Sequence, residues 1–196
     1  MRTRTGPWVI GAVVVAASLG GCSGGDGSSL TVDGLAETGS DCPVDLDGAV
    51  TAAGVEGDAG PVTAEVSTGS GEGGQDASAL DQAGGVYVEC TRPVGDGEVT
   101  AVVFASEHPG AISLLLPLLQ HDLQLDMDDL PGIVERAQDA DEGELIDTGG
   151  EGSAAVGRLG VDGAESAILY VSASSAPSAA SPTQVRTIAE DLLDDL

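Results

Sequence analysis

The chain of 196 residues contains no lysine: all six of its basic residues are arginine, set against 33 Asp and Glu, for a formal charge of −27. A surface of that sign repels phosphate backbones and anionic lipid head groups, which speaks against nucleic acid as a partner. Aromatics are almost missing, with one Trp, one Phe and two Tyr. Trp8 lies in the amino-terminal apolar run, leaving Tyr87, Phe104 and Tyr170 for the folded part. The core must then be built from Val, Leu, Ile and Ala, and a sugar-binding platform of exposed stacked rings is disfavoured. There is no long apolar run: Trp8 to Leu19 spans about a dozen residues, short of the roughly 20 a helix needs to cross the hydrocarbon core. Residues 41–196 contain no G-x-S-x-G elbow, and no Cys-x-x-Cys pair occurs, so the local signatures of an α/β hydrolase and of a thiol metal or redox site are lacking there.

What is present begins at the amino terminus. Arg2 and Arg4 precede the apolar run, and small residues follow it, the order of a secretory signal. The tetrad Leu19-Gly20-Gly21-Cys22 resembles the bacterial lipobox. The resemblance implies that residues 1–21 are a signal peptide and that Cys22 receives acyl chains of the palmitate class as the new first residue. It also implies a lipid-anchored protein on the extracytoplasmic face of the cell membrane. After position 21, four arginines face 33 acidic residues, a formal charge of −29, so attachment has to come from the acyl chains. Residues 22–40, rich in Gly, Ser and Asp, read as a flexible tether with a reach of roughly 25 Å, and residues 41–196 as one domain. The acidity has a second reading, adaptation to a salt-rich habitat. Abundant Ala, Gly, Val and Asp with Arg in place of Lys point to a high-GC genome, actinobacterial or haloarchaeal.

With Cys22 claimed by lipid, Cys42 and Cys90 are the remaining pair, in a compartment that permits oxidation, and a disulfide between them is expected. The competing roles, metal ligand or nucleophilic thiol, lack neighbours, since His108 and His121 lie far downstream.

Along residues 41–196 the pattern predicts a helix over 44–53, a strand over 61–67, a weak helical turn over 77–83, and a terminal helix from Ser181-Pro182 to Leu193. Two hairpins are expected: 86–90 with 99–105 around Gly95-Asp96-Gly97, and 153–159 with 165–173 around Asp162-Gly163. Between them, 111–139 reads as mostly helical, kinked at Pro117 and broken near Asp128-Asp129-Leu130-Pro131, where an aspartate caps and proline opens the next turn. The economical fold is α+β, helices packed on an antiparallel sheet of four or five strands. Each half supplies a helix and an Asp-Gly hairpin, which leaves an αββ duplication open.

Cys42 with a short helix, Cys90 leading a hairpin, Leu130-Pro131-Gly132, Gly149-Gly150 before the second hairpin and a Leu-rich last helix together resemble small actinobacterial lipoproteins of unassigned function. These are similar in plan to the extracytoplasmic sensor domains of some receptor kinases. Where many of them carry a tryptophan beside the second cysteine, Thr91-Arg92 follows Cys90. The resemblance implies no catalytic residues.

Four signals for chemistry each have a plainer reading. Gly69 to Gly74 spells G-x-G-x-x-G, but Glu72 would repel a pyrophosphate and no good helix follows, so it reads as a loop. Asp122, Asp126 and Asp129 share a face if the helix continues, and Asp139, Asp141, Glu142 and Glu144 follow. The EF-hand spacing fails, since Glu144 and Gly150 stand where Gly and Glu are needed, so a solvated acidic face is expected and no metal site. His108 before Pro109 suits a turn, and His121 beside Asp122 the polar side of a helix. The Leu-rich stretch 112–125 surrounds nearly the whole helix, more than a one-sided helix needs. It reads as a core helix, with a cavity lining for an apolar ligand as the alternative. The expected function is therefore a non-catalytic envelope lipoprotein that binds a protein or small ligand, without cofactor. An apolar-ligand carrier and an extracytoplasmic hydrolase are the alternatives.

Overall fold

The structure is a computed structural model that describes residues 29–57, 60–71, 78–150, 152–174 and 179–196. The expected signal peptide, Cys22 and the first part of the tether lie outside the described residues, as do residues 72–74 of the glycine-rich loop. In chain order the elements are β1 (Leu30–Thr31), α1 (Val32–Glu37), α2 (Leu46–Ala52), β2 (Thr63–Gly69), α3 (Ala79–Ala83), β3 (Gly85–Val94) and β4 (Gly97–Ser106). A 3-10 turn (Ala111–Leu114) leads to α4 (Leu116–Leu123) and α5 (Leu130–Asp139), then β5 (Leu145–Ile146), β6 (Ala154–Arg158), β7 (Val161–Asp162), β8 (Ser166–Ala173) and α6 (Pro182–Asp194). No helix among the described residues is long and apolar enough to cross a membrane.

The fold is α+β, with one antiparallel sheet of six strands in the order β2-β3-β4-β8-β6-β5. The expected count of four or five fell short because the outermost strand β5 has only two residues, too few for an alternation to show. Both predicted hairpins form. Gly95, at φ 57°, supplies the left-handed backbone that turns β3 into β4. The two hairpins join through β4 and β8, which pair from Val99↔Ala173 to Ser106↔Ser166.

These two central strands are apolar on both faces, and that dictates the layers. Ala101, Val103 and Ala105 of β4, with Leu169 and Val171 of β8, bury themselves under α1, α2 and α6, together with Leu35, Leu46, Val50, Val185 and Ile188. Val102 and Phe104, with Ile168 and Tyr170, face the other way, under Leu115, Leu119, Leu123, Ile133 and Ala137 of the 3-10 segment, α4 and α5. The Leu-rich stretch thus splits over two elements. Leu115, Leu119 and Leu123 form the inward stripe and pack as core, while Leu118 stays 39% exposed.

Several expectations are corrected. Residues 29–40 are not tether: Leu30 and Thr31 pair in parallel with Val161 and Asp162, Thr31 caps α1, and Leu35 is buried in the core. The Gly/Asp-rich composition hid one apolar anchor. Pro117 does not kink a long helix but sits in the first turn of α4, where its missing N–H costs nothing. Asp129 precedes α5 without a side-chain capping bond. Because α4 stops at Leu123, with Gln124 left-handed at φ 54°, Asp122, Asp126 and Asp129 do not share a helix face. Strand order is symmetric about the β4–β8 pair, but the helices do not follow a duplication. The twofold relating antiparallel neighbours stands perpendicular to the sheet and keeps each face, yet α2 before β2 and α4–α5 before β5 lie on opposite faces.

Cys42 and Cys90 are joined, with their Cα atoms 5.7 Å apart and a sequence separation of 48. The bridge holds the segment before α2 to β3. Nearby, Arg92 reaches from β3 to α2, its Nη2 2.9 Å from Asp47 Oδ1 and its Nη1 donating to the Asp47 carbonyl at 2.8 Å. In the chain-entropy account a loop of this length is worth about 4 kcal/mol. Unfolding of the Cys42→Ala/Cys90→Ala double variant in denaturant should therefore show stability lower by about that amount than the oxidised protein; an unchanged midpoint would show that the bridge adds nothing.

Candidate functional site

The two helical layers do not cover the sheet equally. On the α4–α5 face, Tyr87 and Phe104 pack with ring centres 6.5 Å apart at one end of the strands. Toward the other end α4 stops, and the side chains on that face turn from apolar to polar: Thr91 opposite Thr100, and Thr100 opposite Ser172. A cleft of about 590 Å³ opens there, lined by Glu98, Thr100, His121, Asp122, Gln124, Gly152, Ser153, Ser172, Ala173 and Ser174. Its floor is the sheet and its wall is the last turn of α4.

The wall is set by packing. A Cβ on Gly152 would lie 1.7 Å from the Asp122 carbonyl oxygen, so only glycine lets the chain entering β6 press against the end of α4. Asp122 is thereby held over the sheet, where it accepts a hydrogen bond from the hydroxyl of Tyr170 through Oδ2 and pairs with His121 Nδ1 at 2.6 Å through Oδ1. Tyr170 is 2% exposed. Burial first, and then the bond to the Asp122 carboxylate, push its phenol well above the ordinary value near 10. Tyr87 behaves alike: burial, then its 2.8 Å hydrogen bond to Glu89 Oε2, raise it too. The two phenols are proton-holding struts that fix carboxylates at the border between dry core and wet cleft.

The lining offers hydroxyl donors and acceptors from Thr100, Ser153, Ser172 and Ser174, the amide of Gln124 and the carboxylates of Glu98 and Asp122, with no arginine among them. This suits hydrogen bonding and attraction of positive charge. Among the described residues the hydrogen-bond partner of His121 is Asp122, the carboxylate that also accepts from Tyr170. His121 is 86% exposed at its side chain, and its pairing with Asp122 is open to solvent screening. His108 lies at the opposite end of β4, its backbone N–H donating to Ser106 Oγ at 3.1 Å, the turn role its sequence suggests. No group of three His, Cys, Asp or Glu among the described residues is placed to hold a metal ion, and Asp139, Asp141, Glu142 and Glu144 are exposed.

The sequence reading singled out Asp122 and His121 but not Tyr170, Thr100 or Ser172. The period of two along Ser166, Ile168, Tyr170 and Ser172 places them on one face. What no local signal shows is that α4 ends above them.

No family model, no curated protein and no solved structure matches this chain. The site therefore has to be read from its own chemistry.

Because both tyrosines hold their protons more tightly when folded, their contribution is whole below about pH 10 and is lost as pH rises through the raised folded values. Between these limits the unfolded chain has shed protons that the folded chain keeps, so stability falls by about 1.4 kcal/mol per pH unit for each phenol. Tyr170→Phe should flatten that alkaline slope, and should cost roughly 1–3 kcal/mol at neutral pH by leaving Asp122 without its donor. Denaturant unfolding at pH 7, 10 and 11 measures both effects.

Proposed function

We propose that this chain is a lipid-anchored protein of the cell envelope, held to the outer face of the membrane by acyl chains on Cys22, whose domain is a non-catalytic binding module with the cleft below α4 as its site. The observation that carries the binding role is the cleft itself: fixed hydroxyl and carboxylate groups on a rigid sheet, screened from the core by the Tyr170–Asp122 bond. Sites built on strands and braced by buried partners keep their geometry without a ligand. The non-catalytic reading is supported by His121, whose exposed side chain pairs with Asp122 and not with a serine. The anchor rests on the basic, apolar and small order of the first 21 residues and on Leu19-Gly20-Gly21-Cys22. Inward packing of Leu115, Leu119 and Leu123 favours this reading over an apolar carrier built on the same helix.

Cys22→Ser should move the full-length protein from the membrane fraction to the soluble fraction and abolish palmitate labelling; retention in the membrane would end the anchor reading. For the module, a photoreactive side chain placed at Ser153 in the living host should yield an adduct of defined mass on irradiation. The same group at Thr187, exposed on α6, should yield none. Equal labelling at both positions, or none at either, would dismiss the cleft as the binding site.

A further inference from the structure

Beside the cleft the same face of the sheet continues onto β3 and β2, where α3 packs against the Gly69–Gly85 end and Glu65, Glu89 and Thr91 lie toward the other. Even-numbered residues of β3 point into the α1–α2–α6 core, as do Ala64 and Val66 of β2. Thr63, Glu65, Tyr87, Glu89 and Thr91 therefore share the other face. It is a carpet of hydroxyls and carboxylates: Glu65 and Glu98 are exposed, and Glu89, Thr91, Thr100 and Ser172 are half-buried. All four arginines of the described residues are placed elsewhere. Arg92 points into the opposite layer, Arg136 bonds the Asp147 carbonyl, Arg158 bonds the Glu165 carbonyl, and Arg186 pairs with Glu190 on α6.

Within this face Glu65 stands directly opposite Glu89. Side chains so placed have Cβ atoms about 5 Å apart, and like charges there repel and destabilise the sheet. Glu89 is also pinned in position by the Tyr87 hydroxyl, so it cannot swing away without losing that bond. A pair that weakens the free sheet is offset by a positive group laid between its members.

The spacing selects the kind of cation. Glu89 is paired with Val102, four residues along β4 from Glu98. At about 3.4 Å per residue and 4.8 Å between strands, that separates Glu89 from Glu98 by roughly 14 Å. One metal ion, whose oxygen ligands lie at about 2.3–2.6 Å, does not bridge that distance. An extended polypeptide does: alternate side chains share a face at about 7 Å intervals, so residues i and i+4 stand about 14 Å apart. The Thr91 and Thr100 hydroxyls stand between the carboxylates, where its backbone would lie.

We infer that the partner of this module is a basic polypeptide segment, bound in extended form across the sheet face with cationic side chains at the Glu65–Glu89 pair and at Glu98. This rests on the reading of the domain as a binding module and names the chemistry of its partner.

The full-length protein in detergent is titrated into a fluorescent eight-residue peptide alternating lysine with serine, followed by anisotropy at physiological salt. The face variant Glu65→Gln/Glu89→Gln/Glu98→Gln keeps the hydrogen-bond acceptor beside Tyr87. A control of equal charge, Asp33→Asn/Asp194→Asn/Asp195→Asn, alters exposed carboxylates on α1 and at the end of α6. The wild type and the control should bind alike, and the face variant should bind about tenfold more weakly or worse, with an unfolding midpoint no lower than the wild type's, since the repelling pair is gone. Equal loss in both variants would show that only the overall negative field is felt, and would overturn the assignment. So would a wild type that ignores the peptide, or a calcium titration that reveals a tight site lost in the face variant while the peptide does not bind. Those outcomes remove the basic partner but leave the module itself to the cross-linking result at Ser153, so the two failures are told apart.

Discussion

The burial of β4 and β8 on both faces is the constraint from which the rest of the molecule follows. Val102, Val103, Phe104, Ile168, Leu169 and Val171 are at most 1% exposed, and a strand pair apolar on both sides has to be roofed twice. One roof is α1, α2 and α6; the other is the 3-10 segment with α4 and α5. With hardly any aromatic side chains to fill volume, each roof uses many small contacts between branched aliphatics. That explains why elements as short as α1 are recruited.

The roofs differ in how they are fastened, and the cleft opens where fastening ends. The first is tied to β3 by Cys42–Cys90 and by Arg92. The second is held at its far margin by a single polar strut, Tyr170 to Asp122. Covering stops there because Gln124 reverses the chain, and the strands beyond carry Thr100 and Ser172 where an apolar pair would otherwise stand. A buried phenol that keeps its proton is a suitable post for such a margin. It donates to a carboxylate without adding charge to an already acidic surface.

Much of this was legible from the order of residues alone. Both hairpins announce themselves through alternation and Gly-containing turns, α6 through its Ser181-Pro182 start and apolar stripe, and the disulfide through the arithmetic of three cysteines. Three things were not. The β1–α1 segment hides in a Gly- and Asp-rich stretch, because a two-residue strand and one buried leucine carry no periodicity. The Leu-rich run looked like one encircled helix because leucine favours helix on every side, whereas a 3-10 turn and the left-handed Gln124 divide it. The cleft was invisible for a related reason. Asp122, Thr100 and Ser172 are distant in sequence, and they converge only because α4 halts over β8, a decision made by tertiary packing at Gly152 rather than by any local preference.

The parallel pairing of Leu30–Thr31 with Val161–Asp162 fixes where the chain enters the fold. That point is beside the start of β8, whereas the cleft lies at the other end of the same strand, seven residues on and roughly 24 Å away at 3.4 Å per residue. Any tension or surface acting through the amino terminus meets the protein at its foot. The face proposed for binding stands at the opposite end of the sheet from that foot.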